Sequence, residues 1–222
     1  MFKSKYGNLL TGLLIVVIVV IVGIIGYFGY KILTEDATKK NGEQKYEEFQ
    51  QTYGKKNNNG NSKDNGNVTD IGAVEPDSSS NNEKIYDDGY EVVASIRIPA
   101  IDIKYHILNE VTKKALDKAI CLLYTVNGIN QPGNTVLIGH NYRNSLFFSK
   151  NDQLEEGDKV YIMDTNGVEF EYSIYKIFET SSTDTSFYQR DTQGLREITL
   201  STCTDDASTT DQRLIIFARE NR

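Results

Sequence analysis

Four side chains offer the obvious chemistry in this sequence: the only two cysteines, Cys121 and Cys203, and the only two histidines, His106 and His140. Cys203 stands where the alternating run Ile198-Thr199-Leu200-Ser201-Thr202 gives way to the polar stretch Thr204–Thr210. A thiol at the exit of a strand is held firmly and still reached by substrate. Its thiolate is the reactive form, which a nearby cation favours. His140 also follows a strand-like run, Val136-Leu137-Ile138-Gly139, and leads into the loop Asn141-Tyr142-Arg143-Asn144. Arg213 opens the last apolar run, Leu214-Ile215-Ile216-Phe217, just past the loop that begins after Cys203. If that loop folds back as a hairpin, a guanidinium lands beside the thiol, where it can donate to a developing oxyanion. Taken singly, each residue has a plainer reading: a buried structural cysteine, a surface histidine, a solvated arginine. Cys121 lies in the apolar run Ala119–Leu123 and reads as buried, and His106 reads as structural within Lys104–Leu108. A Cys121–Cys203 disulfide is the rival use of the two thiols. There is no Cys-x-x-Cys, no His pair at helical spacing and no phosphate-cradling glycine loop. The histidine precedes the cysteine, the reverse of papain-type order.

The elements that must position these residues are mostly strands. Glu91–Ile98, Ile101–Leu108, Thr135–Ile138, Lys159–Met163, Val168–Phe178, Glu197–Thr202 and Arg213–Arg219 are apolar or alternating runs bounded by turn residues. Asn166-Gly167 is a hairpin signal between two of them. Lys113–Leu122 has helical spacing, with Ala115, Ala119 and Leu122 on one side. Seven or more strands with two or so short helices in about 140 residues predict a mainly β fold, a closed or nearly closed barrel. The catalytic domain is assigned to residues 86–222.

Ahead of it lie two segments of different character. Between Lys5 and Lys31 there is no charged residue, and the centre, Leu13–Val22, is solidly aliphatic. About 20 such residues span a bilayer core, so residues 1–33 are expected to be an uncleaved membrane anchor. Residues 34–85 are poor in apolar side chains, with runs such as Lys55–Asn59 and Ser78–Asn82, and are expected to form a flexible polar linker, with a short helix over Lys45–Tyr53, polar nearly all round and continuing from the membrane span, as the alternative for that stretch. The formal net charge of −7, with no basic cluster, argues against a nucleic-acid partner.

Three motifs in this order resemble the sortase family. Thr199-Leu200-Ser201-Thr202-Cys203 is similar to the family's Thr-Leu-x-Thr-Cys motif. Gly133–Asn141 resembles the strand leading to its catalytic histidine, and Arg213–Ala218 resembles the strand that begins with its catalytic arginine. The resemblance covers about residues 90–220 and looks class B-like or class D-like. It implies a closed eight-stranded sortase-type β-barrel outside a Gram-positive cell. It also implies a cysteine transpeptidase that cleaves an LPxTG-like C-terminal sorting signal between Thr and Gly. Cys203 would be the nucleophile, His140 the proton carrier and Arg213 the oxyanion partner, with Ser201, Thr202, Asn141 and Tyr188 contacting substrate. The implied partners are surface proteins bearing that signal, a peptidoglycan-precursor amine and the membrane. No cofactor is expected; the acidic residues of Ser181–Glu197 read as a solvated loop, with calcium as the alternative. A hydrolytic endopeptidase or a non-catalytic binding module of the same fold are the other functions compatible with the motifs.

Overall fold

The structure is a computed structural model that describes residues 5–58, 84–204 and 211–221. The chain divides into two units, residues 1–40 and 41–222. In the first, helix α1 (Lys5–Asn58) begins. Its large apolar side chains from Leu10 to Leu33 are exposed on every face, and the helix is long and apolar enough to cross a membrane. An all-round apolar surface of this length is what a bilayer covers.

The second unit is a barrel. After the two-residue strand β1 (Tyr86–Asp87) come β2 (Tyr90–Ile98), β3 (Ile103–Leu108), β4 (Ile120–Thr125), β5 (Gly133–Ile138), β6 (Lys159–Asp164), β7 (Glu169–Ser181), β8 (Arg196–Cys203) and β9 (Gln212–Glu220). The order around the sheet is β2-β3-β4-β5-β8-β9-β7-β6, and β2 also pairs with β6, so eight strands close on themselves. Two pairings, β3–β4 and β5–β8, are parallel and the rest antiparallel. The expected closed eight-stranded, mainly β barrel is therefore present. Alternate residues fill its interior, among them Ile96, Ile107, Leu137, Ile162, Ile198, Leu200 and Ile216. The Asn166-Gly167 turn closes β6 onto β7, with Gly167 at φ +76° and the Asp164 carboxylate accepting from the backbone N–H groups of Asn166 and Val168.

Two sequence expectations are corrected. The helix expected over Lys113–Leu122 is the single turn α2 (Lys113–Leu116), and Ile120 onward is strand β4. Ala115, Ala119 and Leu122 mimic a helical stripe, but Ile120 and Cys121 are wholly buried and the strand carries apolar side chains on both faces. The second correction concerns the linker. Over 34–58 the expected flexible segment is helix, the continuation of α1; residues 59–83 lie outside the described residues. Within the barrel unit, Gly42, Tyr46, Phe49 and Tyr53 recur at intervals of four, three and four residues, and all four are buried. This is one face of a helix. Phe49 and Tyr53 pack with Val92, Leu108 and Met163, and the Gln50 side-chain amide donates to Ser95 Oγ at 3.2 Å. Burying Phe49 alone contributes about 2 kcal/mol, enough to favour docking of an otherwise polar helix.

Candidate active site

The barrel register assembles the site. Strand β8 pairs with β9 so that Cys203 faces Arg213, and with β5 so that Ser201 faces Ile138. Carrying the parallel register two residues on brings His140 level with Cys203, on strands about 4.8 Å apart. Three bonds continue the pairing beyond the end of β5. Gly139 N donates to Ser201 O (3.2 Å), Thr202 Oγ1 to Gly139 O (2.8 Å), and Asn141 Nδ2 to Cys203 O (3.1 Å). His140, two residues past the end of β5, thus falls in one row with Cys203 on β8 and Arg213 on β9.

Within that row, Arg213 Nη1 lies 3.5 Å from Cys203 Sγ and donates to it. A guanidinium at this distance is placed to donate to an oxyanion that forms beside the sulfur. Cys203 shares its face of β8 with Thr199 and Ser201, opposite to Ile198 and Leu200, which point into the barrel. It is partly exposed beside a cavity of about 220 Å³ at the barrel rim, lined also by Asn141, Asp152, Ile177, Glu179, Thr204 and Leu214. Cys121 contrasts with it on every count. It is fully buried, its thiol donates to the Ala119 carbonyl at 3.8 Å, and burial pushes its pKa up to about 12. Both thiols are free.

His140 is set by its flanks. Gly139 permits a close approach: a Cβ there would lie 2.9 Å from Cδ2 of the wholly buried Phe148. Phe148 N donates back to His140 O at 3.2 Å, so the loop after the strand is anchored by the core. The His140 ring packs against Tyr142 at 4.8 Å, and its Nε2 lies 3.4 Å from Asp117 Oδ1. Burial holds the imidazole below its ordinary pKa; Asp117 opposes this and the Arg213 guanidinium adds to it. His106 belongs elsewhere, as a buried partner 3.0 Å from Asp87 on β1.

The other expected contact residues divide. Asn141 is a brace, with Nδ2 on the Cys203 carbonyl and Oδ1 accepting from Arg143 N. Ser201 and Thr202 are buried in β8, and Ser201 Oγ has no hydrogen-bond partner among the described residues. Tyr188 lies away from the Cys203 cavity. Its backbone carbonyl accepts from Asn134 Nδ2, its ring stacks on Tyr124 at 6.3 Å, and it lines a separate cavity. Asn134 precedes His140 by six residues, roughly 20 Å along an extended chain. The loop bearing Tyr188 is fixed there by Arg190, which pairs with Glu197, donates to Tyr175 and Asn134, and covers the Phe217 ring. Asp184 in that loop is occupied by Thr180 Oγ1 and Ser186 N, and among the described residues no group of three or more His, Cys, Asp or Glu is placed to hold a metal ion. Asp117 and Tyr142 are the neighbours of His140 that sequence alone did not single out.

Comparison with curated proteins returns no match. Among solved structures, the chain is similar to the Clostridium perfringens sortase D5 transpeptidase, with 27% identity and a TM-score of 0.52 over 59% of this chain and 79% of that one. It is also similar to sortase A from Corynebacterium diphtheriae, with 27% identity and a TM-score of 0.54 over 60% of this chain and 62% of that one. Sortase C-1 from Actinomyces oris shares the fold at 23% identity and a TM-score of 0.53, over 59% of this chain and 74% of that one. The sortase-domain family model matches residues 96–221, from the last residues of β2 to just past the last strand, and the chain belongs to the sortase family.

Proposed function

We infer that this chain is a membrane-anchored cysteine transpeptidase acting on an LPxTG-like C-terminal sorting signal. The observation that carries the reading is the Arg213 guanidinium 3.5 Å from the Cys203 sulfur, in a register that brings His140 level with both. The Cys203 proton passes to His140, and the thiolate attacks the carbonyl carbon of the signal's threonine. Negative charge develops on that carbonyl oxygen, where Arg213 donates hydrogen bonds. His140 returns its proton to the leaving glycine nitrogen, and the peptide bond breaks to give a thioacyl-enzyme. A neutral amine from a peptidoglycan precursor then attacks the thioester, gives its proton to His140 and releases the Cys203 thiolate. Ser201 backs the nucleophile on the same face of β8, Thr202 ties β8 to the Gly139 carbonyl beside His140, and Asn141 holds the Cys203 backbone. Tyr188 would contact only substrate that extends along the sheet well beyond the scissile bond. The apolar helix anchors the enzyme, with the barrel on the outer side of the membrane where sorting signals and cell-wall amines meet.

Incubating the full chain in detergent micelles with a fluorogenic sorting peptide, with and without an amine, tests this. Cleavage accompanied by amine-linked product is expected. Cleavage giving only the free acid would make the protein a hydrolytic endopeptidase, and no cleavage of any sorting peptide would make it a binding module.

A further inference from the structure

Beside the nucleophile row stands a second group of side chains for which the reaction above has no use. Asp117 Oδ1 accepts the Tyr142 hydroxyl at 2.7 Å and lies 3.4 Å from His140 Nε2. The Tyr142 ring lies over the imidazole at 4.8 Å with 31° between the planes. One carboxylate therefore meets the edge of the imidazole, and the ring it holds covers a face. The Tyr142 hydroxyl is the donor in this pair; partial burial and Asp117 push its phenol pKa up.

Asp117 is itself held. It ends α2, its backbone N–H donates to Lys113 O at 3.0 Å, and Thr112 Oγ1 caps the turn by accepting from Ala115 N. Ala115 and Ala119, on either side, are wholly buried against the cluster that includes Phe49 and Tyr53. The carboxylate is thus presented from a packed turn, a requirement for a group that orients another.

We propose that Asp117, with Tyr142, is the positioning pair for His140: it holds the Nε2–H tautomer and leaves Nδ1 as the nitrogen that exchanges protons with Cys203 and the substrate amines. The inference rests on the transpeptidase reading for its purpose. A histidine's free nitrogen is defined by the bond the other nitrogen makes. With Nε2–H aimed at Asp117, Nδ1 carries the lone pair that receives the thiol proton. The imidazolium so formed is paired with the carboxylate, and the Nδ1 proton is the one delivered to the leaving nitrogen. Among the described residues, the charged groups around the ring are Asp117 from the end of α2 and Arg213 from β9, with the ionisable Cys203 on β8 and Tyr142 on its own loop. Asp117 favours the imidazolium and Arg213 disfavours it.

The chain's two histidines make the test direct. In the full chain in detergent micelles, labelled with 15N-histidine, His140 is expected to show the Nε2–H tautomer at high pH. In Asp117→Asn its titration midpoint is expected to move to lower pH, with the resonances of His106, buried beside Asp87, as the internal control for an intact fold. The acid limb of kcat/KM should move the same way, and kcat should fall about tenfold with KM unchanged, a part of the 10²–10⁴ that a placed proton carrier supplies. Tyr142→Phe keeps the ring and removes its bond to Asp117; a smaller change of the same sign is expected, and Asp117→Glu should restore part of the loss. A His140 tautomer and midpoint identical in wild type and Asp117→Asn would overturn the proposal. So would a wild-type Nδ1–H tautomer. The magnetic-resonance arms need no turnover, so a wild-type chain that cleaves no sorting peptide would sink the transpeptidase reading and leave the positioning result standing.

Discussion

Replacing Gly42 by alanine should reverse the usual sign of that substitution in a helix. Glycine in a helix interior is about 1 kcal/mol less favourable than alanine, so Gly→Ala ordinarily stabilises. Here Gly42 is buried, and a Cβ on it would run into Cε1 and Cδ1 of the Tyr105 ring, which is only 1% exposed and cannot swing out. Overpacking of this kind costs about 1–3 kcal/mol. The net expectation is a loss of about 1 kcal/mol, or roughly 2–4 °C in Tm for a chain of this size. Gly54 in the same helix is the control. A Cβ there meets Met163 Cε at 3.7 Å, an ordinary contact, so Gly54→Ala should gain up to about 1 kcal/mol. Thermal unfolding of the full chain in micelles, followed by near-ultraviolet dichroism of its 14 tyrosines, measures both. Gly42→Ala in a Tyr105→Leu background should regain the stabilising sign. If Gly42→Ala stabilised the native chain as much as Gly54→Ala does, the helix would not be docked on the barrel and residues 41–58 would be linker after all.

Arg213→Lys keeps the charge but loses the planar fork, and steady-state cleavage of a sorting peptide should fall about 10²–10³-fold in kcat/KM. Cys121→Ala should keep wild-type turnover in that assay, because its thiol is sealed in the core with a pKa pushed up to about 12. Asp87→Asn should cost about 1–3 kcal/mol near neutral pH, since it weakens a buried charge-assisted bond to His106. The His106 bond holds the Asp87 carboxyl below its ordinary pKa of 3.8, so its contribution is complete above that value and is lost as pH falls through the lower, folded-state pKa. Stability curves of wild type and Asp87→Asn should therefore converge below about pH 4, a window set by that depressed carboxyl.

How far the fold could be read in advance depended on where the packing information lay. The barrel strands carry theirs locally: Ile198 and Leu200 alternate with Thr199 and Ser201, and the exits of such strands marked His140 and Cys203. The hairpin return that sets Arg213 against Cys203 followed from the short loop between them. Strand β4 was hidden because Ala115, Ala119 and Leu122 fall at helical spacing across a turn and a strand. A helix over Lys45–Tyr53 is legible in the sequence, but its docking on the barrel was hidden for a different reason. One of its four buried positions is a glycine, invisible to hydrophobicity, and Tyr46, Phe49 and Tyr53 are diluted by Lys, Glu and Gln on the other faces. Asp117 could not be singled out, because its relation to His140 depends on α2 ending where it does, against a cluster partly supplied by that helix. Tyr188 is expected to contact substrate because it lies in the loop before β8; where that loop sits depends on Arg190 and Asn134, which fix it at the start of β5, a distant pairing with no local signal.

The most direct examination of the central claim is to trap the covalent intermediate. Mixing the full chain with a sorting peptide in the absence of added amine, quenching in acid and mapping the adduct by mass spectrometry should find the peptide's threonine acyl group on Cys203, and none in Arg213→Ala. An adduct on Cys121, or turnover that persists in Cys203→Ala, would contradict the assignment of Cys203 as nucleophile.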